Sequence, residues 1–148
     1  MSTIFEVLRQ EHDQHRRLLK QLAETHGDSD ERRELFSQLQ TELSSHANAE
    51  ERAFYAVLLS DASTQPKSSH SIKEHQEIEE ALTELAEMDF SSPQWLPKFK
   101  QLKHEVEHHE SEEEQDVFQI AGKVLSEKQK HQLVSTFRKE KQKELQTA

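Results

Sequence analysis

Apolar residues recur along this chain at spacings that alternate between three and four, which is the pattern of amphipathic helices in a bundle. The first such stripe contains Phe5, Leu8, Leu19 and Leu22. Three further stripes comprise Leu39, Leu43, Phe54 and Val57, then Ile78, Leu82 and Leu85, and then Leu102, Val106, Val117 and Ile120. Four amphipathic helices joined by short loops predict an all-α, up-down-up-down four-helix bundle.

Breaks between the stripes set the predicted helix boundaries. Gly27 follows the first stripe, a capping box at Asp28–Glu31 opens the second helix, and a polar loop around Pro66 precedes the third. Pro93 suits the first turn of the fourth helix, and Gly122 marks the last break. The predicted helices are therefore 3–25, 30–60, 70–88, 93–121 and 126–144. We expect the short C-terminal fifth helix to pack across an end of the bundle.

Length and composition restrict the class of protein. The 148 residues predict a single domain over 1–148, in which 126–148 form the C-terminal helix and tail, with Arg138–Lys143 as a solvated segment. The formal net charge of -10 argues against nucleic-acid partners and anionic membranes, because both bind basic faces. The absence of cysteine excludes disulfides and thiolate metal sites, and no apolar run could span a bilayer. We expect a cytoplasmic protein.

Polar side chains interrupt the middle of every apolar stripe. The interrupting residues are His12, His46, Glu50, His75, His109 and Glu113. Residues four apart lie on the same face of a helix, so each His-x3-Glu pair points inward. The bare motif is not selective, since it occurs five times in the chain. Position on the apolar stripe selects two of the five.

The two halves of the chain share this layout. His12 and His46 lie 34 residues apart, as do His75 and His109, and a shift of 63 residues maps one half onto the other. The same shift maps Tyr55 onto Phe118. Two equivalent helical hairpins can pack about a pseudo-two-fold axis, and that packing brings four histidines and two glutamates together in mid-bundle.

A buried cluster of this composition predicts a metal site. An unpaired carboxylate is very costly to bury, and a cation would satisfy all six groups together. Imidazole and carboxylate without thiolate suit iron, zinc, manganese or copper. Six ligands with two carboxylates suit two metal ions bridged by Glu50 and Glu113, with open positions for a small molecule.

The residues around these positions resemble the hemerythrin-like domain, also called the HHE cation-binding domain. The resemblance extends from about Ile4 to Lys143. Its carriers are Glu11-His12, His46 to Glu51 followed by Phe54-Tyr55, Glu74-His75, and His109 to Glu114 followed by Val117-Phe118. It implies a four-helix bundle around a non-haem, carboxylate-bridged pair of iron ions. The implied iron ligands are His12, His46, Glu50, His75, His109 and Glu113.

Family members bind dioxygen or nitric oxide, sense oxygen or iron, or respond to oxidative stress, so the resemblance implies a small ligand such as O2, NO or peroxide. A metal-binding or iron-handling bundle without gas chemistry, containing zinc or manganese, is the alternative. A third hypothesis is an interaction bundle that uses its acidic surface. The chain has no cysteine and no glycine-rich segment, so it offers neither the cysteine nucleophile of some hydrolases nor the phosphate-binding loop of many kinases. We assign no catalytic residue.

One position departs from the oxygen-carrying hemerythrins, which have a fifth histidine four residues after the first one on the third helix. That position is Glu79 here, which is a candidate for an extra carboxylate ligand, whereas His15 is a candidate for the fifth nitrogen ligand. Either alternative argues against reversible oxygen carriage, because the ligand count decides which iron stays open. Glu51 and Glu114 are expected either to hydrogen-bond a ligand histidine or to be exposed charges.

Overall fold

The computed structural model describes residues 1–147 and is helical throughout, apart from the connections. Ala148, the end of the predicted tail, lies outside the described residues. The helices are α1 (Ile4–Ala23), α2 (Asp30–Glu50), α3 (Ala56–Leu58), α4 (Gln65–Glu87), α5 (Trp95–Glu112), α6 (Phe118–Val124) and α7 (Glu127–Thr147). A first π-helical turn, Glu51–Tyr55, joins α2 to α3, and a second, Glu113–Val117, joins α5 to α6. The predicted all-α bundle with a C-terminal fifth helix is confirmed.

Local chemistry changes the N-termini of two predicted helices. Helix α2 begins at Asp30, as predicted, but Ser29 caps it by accepting a hydrogen bond from the Arg32 amide, whereas Asp28 binds the Arg33 guanidinium. The predicted capping box at Asp28–Glu31 therefore does not form. Pro66 lies in the first turn of α4 and not in the preceding loop, since proline lacks only an amide that this turn leaves unbonded.

The C-terminal helix α7 spans 21 residues and lies along α1 and α2. The expectation that it packs across an end of the bundle is wrong, because its apolar residues face α1 and α2 along the side of the bundle. The fully buried Phe137 packs its ring edge-on against the imidazole of His46, with the centroids 5.7 Å apart. Lys141 lies within the segment predicted to be solvated, yet only 14% of its side chain is exposed.

Two apolar clusters form the interior. One contains Leu8, Phe54 and Phe118 together with the buried residues of α7. The other contains Leu39 and Trp95, whose indole nitrogen donates to a backbone carbonyl of α4. The polar residues that interrupt the stripes lie along the chain between the two clusters, so the fold places them at mid-height of the bundle. Every helix within residues 1–147 is too short or too polar to span a bilayer.

Candidate metal centre

The structure brings the six interrupting residues into one buried layer. The exposed fraction does not exceed 7% for any of them, which are His12, His46, Glu50, His75, His109 and Glu113. They form two groups of four, in which one nitrogen or oxygen of each residue lies within 4.8 Å of the others. The first group contains His12 and His46, and the second contains His75 and His109. Glu50 and Glu113 belong to both groups, as a pair of bridging carboxylates would.

The inward Nε2 atoms approach the two carboxylates in a two-fold pattern. His12 Nε2 lies 3.0 Å from Glu113 Oε1, and the equivalent contact joins His75 Nε2 to Glu50 Oε1 at 3.1 Å. The two contacts between residues four apart on one helix are each 3.8 Å. Each carboxylate therefore faces one histidine of its own helix and one from another helix. The pseudo-two-fold axis predicted from the repeat relates the two sets of contacts.

The Nδ1 atoms of the same four histidines contact a second ring of carboxylates. The pairs are His12–Glu114 at 2.6 Å, His46–Glu11 at 2.9 Å, His75–Glu51 at 2.8 Å and His109–Glu74 at 2.7 Å. These bonds fix the orientation of each ring and leave Nε2 available to a cation. Glu51 and Glu114 thus hydrogen-bond histidines. Sequence reasoning did not assign this role to Glu11 and Glu74, although the repeat pairs them.

Several buried atoms of the layer have no hydrogen-bond partner among the described residues. They include both carboxylate oxygens of Glu50, Glu113 Oε1 and His12 Nε2. The 3.0 Å approach of His12 to Glu113 is therefore a close contact without hydrogen-bond geometry. Buried polar groups are normally satisfied, and exceptions of this kind mark positions for a missing partner. A cation between the two carboxylates would satisfy all of these atoms.

Without a metal, the pKa values of the buried layer favour a protonated Glu50, an ionised Glu113 and a protonated His12. Burial and the neighbouring Glu113 raise the pKa of Glu50 well above its usual value. Burial also opposes ionisation of Glu113, but the contact with His12 outweighs it and lowers the pKa of Glu113. The pKa of His12 is raised despite its burial, because Glu113 and Glu114 stabilise the imidazolium. A metal ion would displace these protons, since metal ligands bind in their deprotonated forms.

The aromatic walls of the layer break its two-fold symmetry. Tyr55 donates a hydrogen bond to Glu113 Oε2, and its ring lies 6.0 Å from that of His75. The equivalent residue in the other half, Phe118, stacks on His12 with an interplanar angle of 11°. Both side chains contact the layer, but only one of them presents a hydroxyl to it.

A second asymmetry surrounds His15, which is fully buried beside the layer. Its Nδ1 contacts Glu110 Oε2 at 2.7 Å, and its ring centroid lies 4.8 Å from that of His46. Burial, reinforced by the charge of His12, lowers the pKa of His15 to about 3, and burial raises that of Glu110 to about 7. His15 belongs to neither group of four. It forms a separate group with Glu11 and His46.

Two further carboxylates, Glu79 and Glu110, have positions that the apolar periodicity did not decide. Glu79 is exposed and accepts a hydrogen bond from Ser44, and the structure does not bring it into either group of four. Glu110 is only 2% exposed and was missed, because it lies in a run of charged residues. Its repeat mate is the half-buried Ala47, so the repeat carried no signal for a carboxylate at this position.

A small cavity opens beside the second group of four. Its volume is about 20 Å³, and it is lined by three imidazoles, two carboxylates and apolar side chains, among them His46, His75, His109, Glu79, Glu110 and Val106. A single water molecule needs roughly 10–15 Å³ of such space. The cavity therefore has room for one molecule of about that size next to three imidazoles.

Comparison with known proteins places this geometry in a family. The family model described as hemerythrin HHE cation binding domain matches residues 3–121, which include all six residues of the layer. The fold is similar to the crystal structure of a hemerythrin HHE cation binding domain-containing protein from Mycobacterium kansasii, with a TM-score of 0.82. The two are 24% identical, and the alignment covers 97% of this chain and 90% of that chain. No curated protein matches the sequence significantly.

Proposed function

Because this chain belongs to the hemerythrin HHE cation-binding domain family, we propose that its buried layer holds two carboxylate-bridged iron ions that bind a small diatomic molecule or peroxide. The six ligands in this proposal are His12, His46, Glu50, His75, His109 and Glu113. His15 and Glu79 are not needed in the ligand set. The observation that carries the proposal is the membership of Glu50 and Glu113 in both groups of four.

The donor set supports iron. Four imidazoles and two carboxylates without thiolate suit a metal of intermediate hardness. Contacts of 3.0 and 3.1 Å between ligand atoms also match the spacing of about 3.0 Å between neighbouring ligands of an octahedral ion with bonds of about 2.1 Å. Iron bound there would supply reversible one-electron chemistry and open positions for a small ligand.

The protein contributes orientation and a restricted environment. The outer carboxylates hold the four imidazole rings, so the Nε2 atoms are positioned before a metal arrives. The aromatic rings of Phe118 and Tyr55 cover the layer, and the Tyr55 hydroxyl can donate a hydrogen bond within it. The cavity of about 20 Å³ supports a ligand as small as O2, NO or peroxide.

Metal loading of the Glu50→Gln and Glu113→Gln variants tests this proposal. Wild-type protein reconstituted without oxygen should contain about two iron ions per chain, and its visible spectrum should respond to O2 or NO. Each variant should lose at least one iron, because a neutral amide cannot bridge two cations. Glu105→Gln, an exposed position on α5, is the matched control and should keep the wild-type iron content.

The alternative function is a metal-binding or iron-handling bundle without gas chemistry, containing zinc or manganese. The near-complete burial of all six ligands favours it, since a closed site suits retention of a cation more than exchange of a ligand. Competitive loading with iron, zinc and manganese, followed by exposure to both gases, separates the two functions. A loaded protein whose spectrum ignores both gases supports the alternative. Unchanged metal content and melting temperature in the glutamine variants would contradict both and favour an interaction bundle.

A further inference from the structure

A second group of metal-ligating side chains lies on the surface, outside the buried layer. His70 Nε2 lies 3.4 Å from Glu74 Oε2 and 3.6 Å from Glu112 Oε1. One ligand atom of each of the three residues lies within 4.8 Å of the other two. The other oxygen of Glu112 lies 3.4 Å from His108 Nε2. We call His70, Glu74 and Glu112 the peripheral cluster.

The spacing in the peripheral cluster suits a shared cation more than direct bonds. Hydrogen bonds between nitrogen and oxygen are usually 2.7–3.2 Å long, and the contacts of His70 exceed that range. Two ligands bound tetrahedrally to zinc at about 2.1 Å lie about 3.4 Å apart. The two contacts of His70 therefore have the ligand separation of a tetrahedral site, and the third pair of ligand atoms, on Glu74 and Glu112, lies within 4.8 Å. Three positions of such a site would come from the protein and one would remain for water.

The equivalent carboxylates Glu11 and Glu74 have different partners in the two halves of the molecule. Glu11 holds His46, and its other oxygen is bound by the ammonium of Lys141 at 2.8 Å. Its repeat mate Glu74 holds His109 through Oε1. Among the described residues, Oε2 of Glu74 faces His70 and no lysine or arginine forms an ion pair with it. One half thus neutralises this carboxylate with a fixed cation, and the other places an imidazole and a second carboxylate beside it.

The cluster is open to solvent. The exposed fraction of the side chain is 54% for His70, 31% for Glu112 and 19% for Glu74. A hydrated ion can therefore reach all three from outside, unlike the ligands of the buried layer. The two carboxylates give the cluster negative charge, which favours a divalent cation.

We propose that His70 Nε2, Glu74 Oε2 and Glu112 Oε1 form a separate surface site for a divalent transition-metal ion, with zinc as the best fit. The site does not depend on the identity of the buried metal. It shares one carboxylate with the buried layer, since Oε1 of Glu74 orients His109 and Oε2 faces the surface.

Zinc titration of the protein with its buried site already loaded tests the proposal. Calorimetry and metal counting should show one additional zinc ion per chain, with no release of the buried metal. His70→Ala should weaken this binding by at least about tenfold, since loss of even a hydrogen-bond partner of a metal ligand costs about 10- to 100-fold in affinity. His104→Ala is the matched control, because it removes an exposed histidine of α5 that stacks on His108 without entering the cluster.

Three outcomes would overturn the proposal. They are no zinc beyond the buried site, equal affinity in wild type and His70→Ala, and loss of binding in His104→Ala, which would place the ion on His104 and His108. A Glu50→Gln, Glu113→Gln double variant separates this site from the buried one. It should lose the buried metal and still bind one zinc ion, so failure of one proposal does not imply failure of the other.

Discussion

Each histidine of the buried layer has two chemically different ends, and this arrangement explains how the layer tolerates burial. Nδ1 is satisfied by an outer carboxylate, as in the contact of His75 with Glu51. Nε2 faces the two inner carboxylates, several of whose oxygens have no hydrogen-bond partner. Buried charged groups seldom stabilise a fold more than apolar side chains of similar volume. The layer therefore lowers the stability of the metal-free protein, and a bound cation would compensate.

Tyr55→Phe should destabilise the metal-free protein by about 2 kcal/mol, because Glu113 loses its hydroxyl donor while the ring packing stays. Urea denaturation measures the change in the free energy of unfolding. Metal content should remain at the wild-type level, since Tyr55 is not among the proposed ligands. Thr83→Ala, which removes an exposed hydroxyl bonded to a backbone carbonyl, should cost under about 0.5 kcal/mol. Equal losses in the two variants would contradict a special role for Tyr55.

The residues of the layer could be predicted because apolar periodicity leaves few explanations for a polar residue on an inward face. The same reasoning could not find Glu110, which follows a histidine in a run of charges and whose burial depends on how α1 packs against α5. It also left the role of Glu114 open. Whether a carboxylate contacts a neighbouring helix is decided by tertiary packing, and a single-helix pattern does not record it.

At the scale of elements, the two π-helical turns position the layer. The first turn begins immediately after Glu50, and the second begins at Glu113. In each turn the closing hydrogen bond joins residues five apart, as from the Ala56 amide to the Glu51 carbonyl. A residue five positions along an α-helix lies about 140° around it, whereas a π turn returns it to the same face. Glu50 and Tyr55 therefore both reach the layer. The repeat paired the two segments, but periodicity could not reveal the extra residue in each.

Deleting Arg52 should convert the first π turn into regular α-helix without disturbing the register on either side, because a π turn amounts to one inserted residue. We expect the variant to fold, with a melting temperature of the metal-free protein near that of wild type, and to lose metal because Glu51, which orients the His75 ring, lies within the altered turn. Circular dichroism and metal counting measure the two effects.

Two controls isolate the effect of that deletion. Arg52→Ala keeps the chain length and removes only surface ion pairs to Glu140 and Glu144, so it should retain its metal. Deletion of the exposed Gln38, within the regular part of α2, should rotate the flanking faces by about 100° and prevent folding. Unfolding of the Arg52 deletion to the same extent would show that the turn is not an insertion.

At the scale of the whole molecule, α7 completes the bundle. The family match ends at residue 121, yet α7 contributes Leu133, Val134 and Phe137 to an apolar cluster that also contains residues of α1. We propose that residues 1–148 form one domain on this basis. The sequence pattern predicted the helix but not its packing. Lys141 lies in a charged segment that is typical of a solvated tail, yet its ammonium lies between two carboxylates.

Lys141→Met should reveal how far α7 stabilises the layer, because the ammonium binds Glu11 at 2.8 Å and Glu42 at 3.0 Å. We expect the metal-free protein to lose about 1 kcal/mol of unfolding free energy at pH 7. Lys143→Met, which removes a mostly exposed lysine of the same helix, should change it little.

The pH dependence of that loss follows from Glu11. Burial opposes its ionisation, but the bonds with His46 and Lys141 outweigh burial and lower its pKa from 4.5 to about 2. A lowered pKa in the folded state adds stability that is complete above pH 4.5 and disappears as the pH falls toward 2. His46 lowers this pKa in both proteins, and only the part that comes from Lys141 is lost in Lys141→Met. Urea denaturation should therefore show a gap between the two proteins that is constant from pH 7 to 5 and narrows as the pH falls from 4.5 toward 2. A gap that stays constant down to pH 2 would contradict the pairing of Lys141 with an ionised Glu11.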